Sequence, residues 1–244
     1  MTCTIKRWKK AQHVERKYWV KVSQGYDERM KRKHWMQWIL KPFDLTFKSF
    51  EDKILVQIGC GPQGLINFLT VDGGMKMGVD PLMKSYMRSY DMPSDSYYLV
   101  GMAEGLPIKS GTIDVAMCVN MLDHTISPEE TLSEIYRILK NRGLLIFQVN
   151  LVPPFKAIVK FFLKTSLTDT VAHPHKINAQ WLIDRLTRSK FKIIKGMLDA
   201  PWWHKKRSID QFNVIDRLLF RLVKKSFAAG LRILAIKEEK NKKT

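Results

Sequence analysis

The sequence predicts an α/β protein built on a doubly wound parallel sheet, seven strands in all, and three observations predict it. The apolar run at 54–58 ends abruptly in Gly59-Cys-Gly-Pro-Gln-Gly64, so a strand runs straight into a glycine-rich turn. A second apolar segment, 75–79, ends in Asp80, which lies 21 residues after Gly59. At about that spacing a carboxylate on the second strand meets the ribose hydroxyls of a bound nucleotide. Over residues 53–150, β-rich and helical segments then alternate, as parallel strands joined by helical crossovers do.

Each element has its own local reason. Gly59 and Gly61 open backbone angles closed to other residues, so the chain can pass close to a ligand. The segment 65–69 has the apolar content of a short helix after that turn. Pro81 suits the first turn of the helix that follows Asp80. A third β-rich run, 97–100, leads into the loop-like Gly101-Met-Ala-Glu-Gly-Leu-Pro107. The fourth, 113–119, is almost wholly apolar, as a strand covered on both faces must be. It ends at Asn120-Met-Leu-Asp-His124. Ser127-Pro-Glu-Glu130 reads as a helix start, with Ser127 as the cap. That helix is expected over 131–140, closed by Asn141-Arg-Gly143, with a fifth strand at 144–149. A helix from Asn178 to Ser189 and strands at 191–198 and 231–236 complete the sheet.

Two segments break the alternation, at about 151–177 and 199–230. The first carries Lys156, Lys160 and Lys164 four apart beside Ile158, Phe161 and Phe162. The second carries Pro201-Trp-Trp203 and an expected amphipathic helix from Ser208 with Arg217, Arg221 and Lys224 on its polar side. Residues 4–41 also read as helical and lie outside the sheet, with Gly25 dividing two helices and Pro42 ending the second. Their Trp8, Tyr18, Trp19, Trp35 and Trp38 read either as rings packed on the core or as contacts to a strand or an interface.

The formal net charge is +19, and residues 1–41 hold twelve Lys/Arg against three acids. Such a surplus points to a polyanionic neighbour, either an anionic membrane surface or nucleic acid, or else only to a soluble basic surface. Three separated cysteines, Cys3, Cys60 and Cys118, point to a reducing, cytoplasmic setting with no disulfide framework and no zinc site. No apolar stretch reaches the length of a membrane span, and no secretory signal is read at the N-terminus.

These residues resemble the class I S-adenosylmethionine-dependent methyltransferases, and among them the broad type 11 group. The resemblance covers 53–150 well and the order of elements to about 237 loosely. It implies a Rossmann-like fold and S-adenosyl-L-methionine as cofactor. The family's first motif is matched by Gln57, Gly59, Gly61 and Gly64, with Gln57 in place of the usual acid and Gln63 where the third glycine normally stands. Asp80 matches the ribose-binding acid. Met102, Ala103 and Glu104 match the loop around the adenine, with Met102 where an aspartate is usual. Asn120 matches the end of the fourth strand, beside the methionyl part of the cofactor. Leu139-Lys-Asn-Arg-Gly-Leu-Leu145 resembles the family's leucine-lysine-proline-glycine-glycine turn. The chain then divides into an N-terminal helical lid or extension, 1–50, and the cofactor-binding domain, 51–240, carrying both insertions.

Methyl transfer from a sulfonium is an in-line displacement, so the protein mainly binds and orients. A hydroxyl or amine acceptor also needs a base. His124 is the first candidate, since it directly follows the fourth strand and histidine is the side chain most often used as a general base. His173 and His175 are the second, on an insertion able to fold over the site. Each has a plainer reading, as a helix-capping or loop residue, and Asp123 reads as a base or as a solvated acid. His173 and His175 lack a convincing third ligand, so no metal is expected. The amphipathic basic insertions favour a small-molecule or lipid-linked acceptor, methylated on oxygen or nitrogen at the inner membrane face. The alternatives are an RNA methyltransferase, for which the charge speaks and a missing Asn-Pro-Pro-Tyr/Phe-type motif counts against, and a degenerate, non-catalytic member, motivated by Gln57 and Met102.

Overall fold

Strand β1 (Ile54–Ile58) sits at the centre of a seven-stranded sheet in the order β3-β2-β1-β4-β5-β7-β6. The computed structural model describes residues 2–23, 37–151, 172–199 and 230–239. The expected dividing glycine Gly25, Trp35, most of the insertion at 151–177 and nearly all of that at 199–230 lie outside the described residues. The other strands are β2 (Met75–Asp80), β3 (Tyr97–Val100), β4 (Ile113–Val119), β5 (Leu139–Asn150), β6 (Phe191–Asp199) and β7 (Gly230–Lys237). β1 to β5 pair in parallel, while β7 inserts antiparallel between β5 and β6. The described α-helices are α1 (Ile5–Ser23), α2 (Met83–Tyr86), α3 (Pro128–Ile138) and α4 (Ala179–Arg188), with a further helical turn at 37–40.

Both faces of the sheet are covered, which is why its central strands are apolar throughout. On one face Val56, Ile58, Ala116 and Phe147 meet Leu132 and Ile135 of α3 and Leu182 and Leu186 of α4. On the other, Leu55, Met117, Ile146 and Leu234 meet Ile39, Phe43 and Phe50. Residues 37–50, grouped by sequence with the N-terminal extension, thus supply core side chains to the sheet. Burying one large apolar side chain of this kind contributes roughly 1.5–3 kcal/mol.

Two elements differ from the sequence expectation. Leu65–Phe68 is a single 3₁₀ turn rather than a helix. Leu69 is already extended, and only 70–74 separate it from β2, so there is no length for more. β5 starts at Leu139, five residues earlier than expected, and α3 stops at Ile138. Leu139 pairs with Ile113 of β4 and is fully buried, so tertiary pairing takes the residue from the helix. A register shift between Ile113 and Val115, with Arg142 at φ 61°, absorbs the extra residues. The start of α3 follows expectation: the Ser127 hydroxyl accepts from the Glu130 amide at 3.3 Å, with Pro128 next.

Candidate cofactor and acceptor site

A cleft of about 530 Å³ opens beyond the carboxyl ends of β1, β2 and β4. Ligands of open parallel sheets bind at such a place because the connections from β1 and β4, where the strand order reverses, leave the sheet toward opposite faces and open a crevice between them. Gly59, Gly61, Gly64, Asp80, Met102, Ala103, Glu104, Asn120, His124 and His173 all border it.

At one end the chain presents mostly backbone. Gly59 has φ 62°, and an added Cβ would sit 2.6 Å from Cβ of Met121, so only glycine fits. Gly61, at φ 58°, points its amide at Asp80 Oδ2, 3.0 Å away. The Leu82 amide donates to Asp80 Oδ1 at 2.8 Å. Burial pushes the Asp80 carboxyl up to about 6 against the pull of those two amides. Gly64 caps the 3₁₀ turn, and a Cβ there would meet the carbonyl of Cys60 at 2.6 Å. Gln57 also borders the cleft, but its Oε1 accepts from the Ile66 amide at 2.9 Å. Its oxygen therefore fastens the turn that follows the glycines. Glu104 has a comparable duty: its Oε1 accepts from the amides of Ile126 and Ser127. Arg137 and Glu134 hold the same loop from α3, through the carbonyls of Leu106 and Ile108 and the amide of Leu106. Met102 forms an isolated bridge with Gly105, beside the buried Ala103.

At the other end side chains dominate. Asn120, at φ 51°, accepts from the Asn150 amide nitrogen at 2.6 Å. Asp123 is buried, and its Oδ2 lies 2.7 Å from His173 Nδ1. Burial works to raise the Asp123 carboxyl, yet the bond from His173 and the neighbouring imidazoles outweigh it and hold the group below its ordinary value. His124 lies against His173 with ring centroids 4.3 Å apart. His124 Nε2 is 3.8 Å from Asp123 Oδ1, and its Nδ1 is 3.5 Å from Glu15 Oε1. His175 is placed differently. It is buried outside the cleft lining, with Nε2 at 2.8 Å from the carbonyl of Thr125 and 3.2 Å from that of Ile126. Its amide donates to the carbonyl of Asp123 at 3.2 Å. His175 thus anchors the loop that carries His173 and does not reach the cleft.

Helix α1 closes the cleft from above. Trp8, Gln12, Glu15 and Trp19 recur at spacings of four, three and four, so one face of the helix lines the cavity. That spacing was available in the sequence, and it marks Gln12 and Glu15 as site residues that composition alone hides among the lysines. Asn150 had no comparable signal, since it is brought in only by the pairing of β4 with β5.

Comparison with known proteins bears on the domain and the fold. Residues 56–147 match the methyltransferase domain family. The chain is 30% identical over 117 residues to an uncharacterised protein of Methanocaldococcus jannaschii, covering 46% of this chain and 48% of that one. It is 28% identical over 104 residues to the ubiquinone biosynthesis O-methyltransferase of Colwellia psychrerythraea, covering 41% and 42%. The chain thus spans about half the length of the curated relatives it matches. Among solved structures, a chain from the complex between the Haloferax volcanii Trm112 methyltransferase activator and a proposed methyltransferase superposes with TM-score 0.62 at 20% identity, over 92% of this chain and 96% of that one. Haemonchus contortus phosphoethanolamine N-methyltransferase 2, in complex with phosphomonomethylethanolamine and S-adenosylhomocysteine, superposes with TM-score 0.57 at 15% identity, over 84% and 53%. At these identities the structural likenesses show the fold alone, and the family match lies within residues 56–147, which carry the methyltransferase domain.

Proposed function

We propose that this protein transfers the methyl group of S-adenosyl-L-methionine to a hydroxyl or amine of a small-molecule or lipid-linked acceptor. The observation that carries the reading is the cleft's two-ended construction. A backbone cradle with a ribose-directed acid, Asp80, stands opposite a titratable cluster of Asp123, His124 and His173. In this reading the glycine turn passes under the cofactor, Asp80 accepts from the ribose hydroxyls, and Met102 and Ala103 border the adenine. Asn120 lies at the methionyl portion. The cofactor supplies the activated methyl. The protein holds the acceptor's nucleophile in line with it and removes the proton through the histidine cluster.

A ligand with a flat or apolar portion is favoured, because Trp8, Tyr18 and Trp19 line the cleft. The outer surface of α1 exposes Lys6, Arg7, Lys9, Lys10, Arg16, Lys17 and Lys21, and no acid shares it with them. That charge favours an anionic membrane surface as the place where a lipid-linked acceptor is met. No described helix is long and apolar enough to cross a membrane.

Calorimetric titration with S-adenosylhomocysteine tests the cofactor reading. Wild type is expected to bind in the micromolar range, with Asp80→Ala losing at least about tenfold through the missing ribose hydrogen bonds. Absence of wild-type binding would leave the degenerate alternative standing. Sedimentation with anionic vesicles, but not with bulk RNA, is expected for the lipid-linked acceptor. The reverse result would favour the RNA alternative.

A further inference from the structure

We infer that Asp123, His124 and His173 form a binding site for a divalent first-row transition metal ion at the acceptor end of the cleft. Sequence spacing pairs His173 with His175, and that pair has no third ligand. The fold makes a different set. It turns His175 away onto the carbonyls of Thr125 and Ile126 and brings His173 to Asp123 and His124, fifty residues earlier in the chain. One ligand atom from each of the three lies within 4.8 Å of the other two.

The gap between them has the size and donors a metal needs. With bonds of about 2.0–2.2 Å to imidazole nitrogen and carboxylate oxygen, neighbouring ligands of a tetrahedral site stand roughly 3.4 Å apart. Here Asp123 Oδ2 to His173 Nδ1 is 2.7 Å, Asp123 Oδ1 to His124 Nε2 is 3.8 Å, and all three ligand atoms lie within 4.8 Å of one another, so side-chain adjustments of about an ångström bring the set to that spacing. A hydrogen-bonded Asp123–His173 pair accounts for only one carboxylate oxygen. Asp123 Oδ1 is buried with no hydrogen-bond partner and faces His124. An orphaned buried acceptor is costly, by about 1–3 kcal/mol or more for a charged group, and a cation in the gap satisfies it. Glu15 completes the arrangement. Its carboxylate stands 3.5 Å from His124 Nδ1, on the far side of the ring from Asp123. A carboxylate behind a ligating histidine fixes the ring and its tautomer.

Two imidazoles and a carboxylate suit zinc, iron(II), manganese or cobalt rather than calcium or magnesium. On binding, His173 Nδ1 gives its proton to solvent and its lone pair to the ion. His124 and His173 border the cleft, so with an ion bound there the acceptor's oxygen or nitrogen would meet the ion in place of a free imidazole base. That last role rests on the methyltransferase reading; the binding of the ion does not.

The test is a titration of full-length, chelator-treated protein with Co²⁺, read by its visible d–d absorption and repeated with Zn²⁺ by calorimetry. Wild type is expected to take up a single equivalent with a band of low coordination number. Asp123→Asn, His124→Gln and His173→Gln are expected to abolish stoichiometric uptake. Glu15→Gln should weaken it by about tenfold. His13→Gln, on the exposed side of α1, should leave it unchanged. Titration of each variant with S-adenosylhomocysteine reports whether it is folded. A wild type that binds S-adenosylhomocysteine but takes up no cobalt overturns the proposal, as does undiminished uptake by folded Asp123→Asn or His173→Gln. If a variant fails to fold, the wild-type stoichiometry and the remaining variants decide. If wild type takes up cobalt but no S-adenosylhomocysteine, the methyltransferase reading fails and the metal site stands.

Discussion

The two ends of the cleft are built in opposite ways. The end proposed for the cofactor draws on residues 57–104, and its contacts are largely backbone: the glycine turn, the amides on Asp80, the chain at Ala103. The acceptor end draws on Glu15, Asp123, His124, Asn150 and His173, which lie far apart in the chain and meet through side chains. A backbone cradle tolerates side-chain change. Gln57 and Met102 depart from the family pattern without removing it, because Gln57 still fastens the Ile66 amide and Met102 still borders the cleft. A side-chain cluster has no such tolerance. Each member supplies a contact that no neighbouring residue replaces.

That contrast sets the expected size of substitutions. The largest effect falls at the acceptor end. His173→Gln should lower turnover by about a hundredfold or more, the usual cost of losing proton handling, while S-adenosylhomocysteine affinity stays within about twofold. A parallel loss of cofactor affinity would mean the two ends are not separable.

A middle-sized effect belongs to Asp80. In the proposed reading ribose hydroxyls donate to its ionised form, and burial pushes its pKa up to about 6. S-adenosylhomocysteine should therefore bind about tenfold more weakly at pH 5 than at pH 7 and above, and Asp80→Asn should flatten that profile. The stability sign follows from the same shift. A carboxyl raised from 3.8 to about 6 contributes stability fully present below pH 3.8 and lost as pH rises through about 6. A pH-independent affinity would show that Asp80 does not meet the ribose.

The smallest effect sharpens the family comparison. Met102→Asp restores the usual acid at the adenine loop. One added hydrogen bond should tighten S-adenosylhomocysteine by about threefold, read by calorimetry. Weaker binding would mean that Met102 is itself packed against the ring.

Much of this was legible in the sequence for a physical reason. Strand β1, the glycine turn, β2 and Asp80 follow one another without interruption, so local periodicity and turn chemistry carry the signal. The Ser127 cap was legible likewise, because a cap is satisfied within three residues. Leu139 was misassigned because its helical neighbours speak for a helix, while the partner that claims it, Ile113, lies 26 residues away. His175 read as a second site candidate because spacing places it beside His173 but does not say which way a side chain turns. The carbonyls that hold it belong to the loop after β4.

The sequence by itself therefore determined the class of fold, the glycine turn after β1 and the acid at the end of β2, because each is encoded in contiguous residues. Only the tertiary structure decided the acceptor end. Whether Asp123 is a solvated acid or the buried partner of His173 depends on a loop fifty residues later. Whether Glu15 lies among lysines or behind His124 depends on where α1 docks. Such choices are made by packing between distant segments, which leaves no periodic trace along the chain.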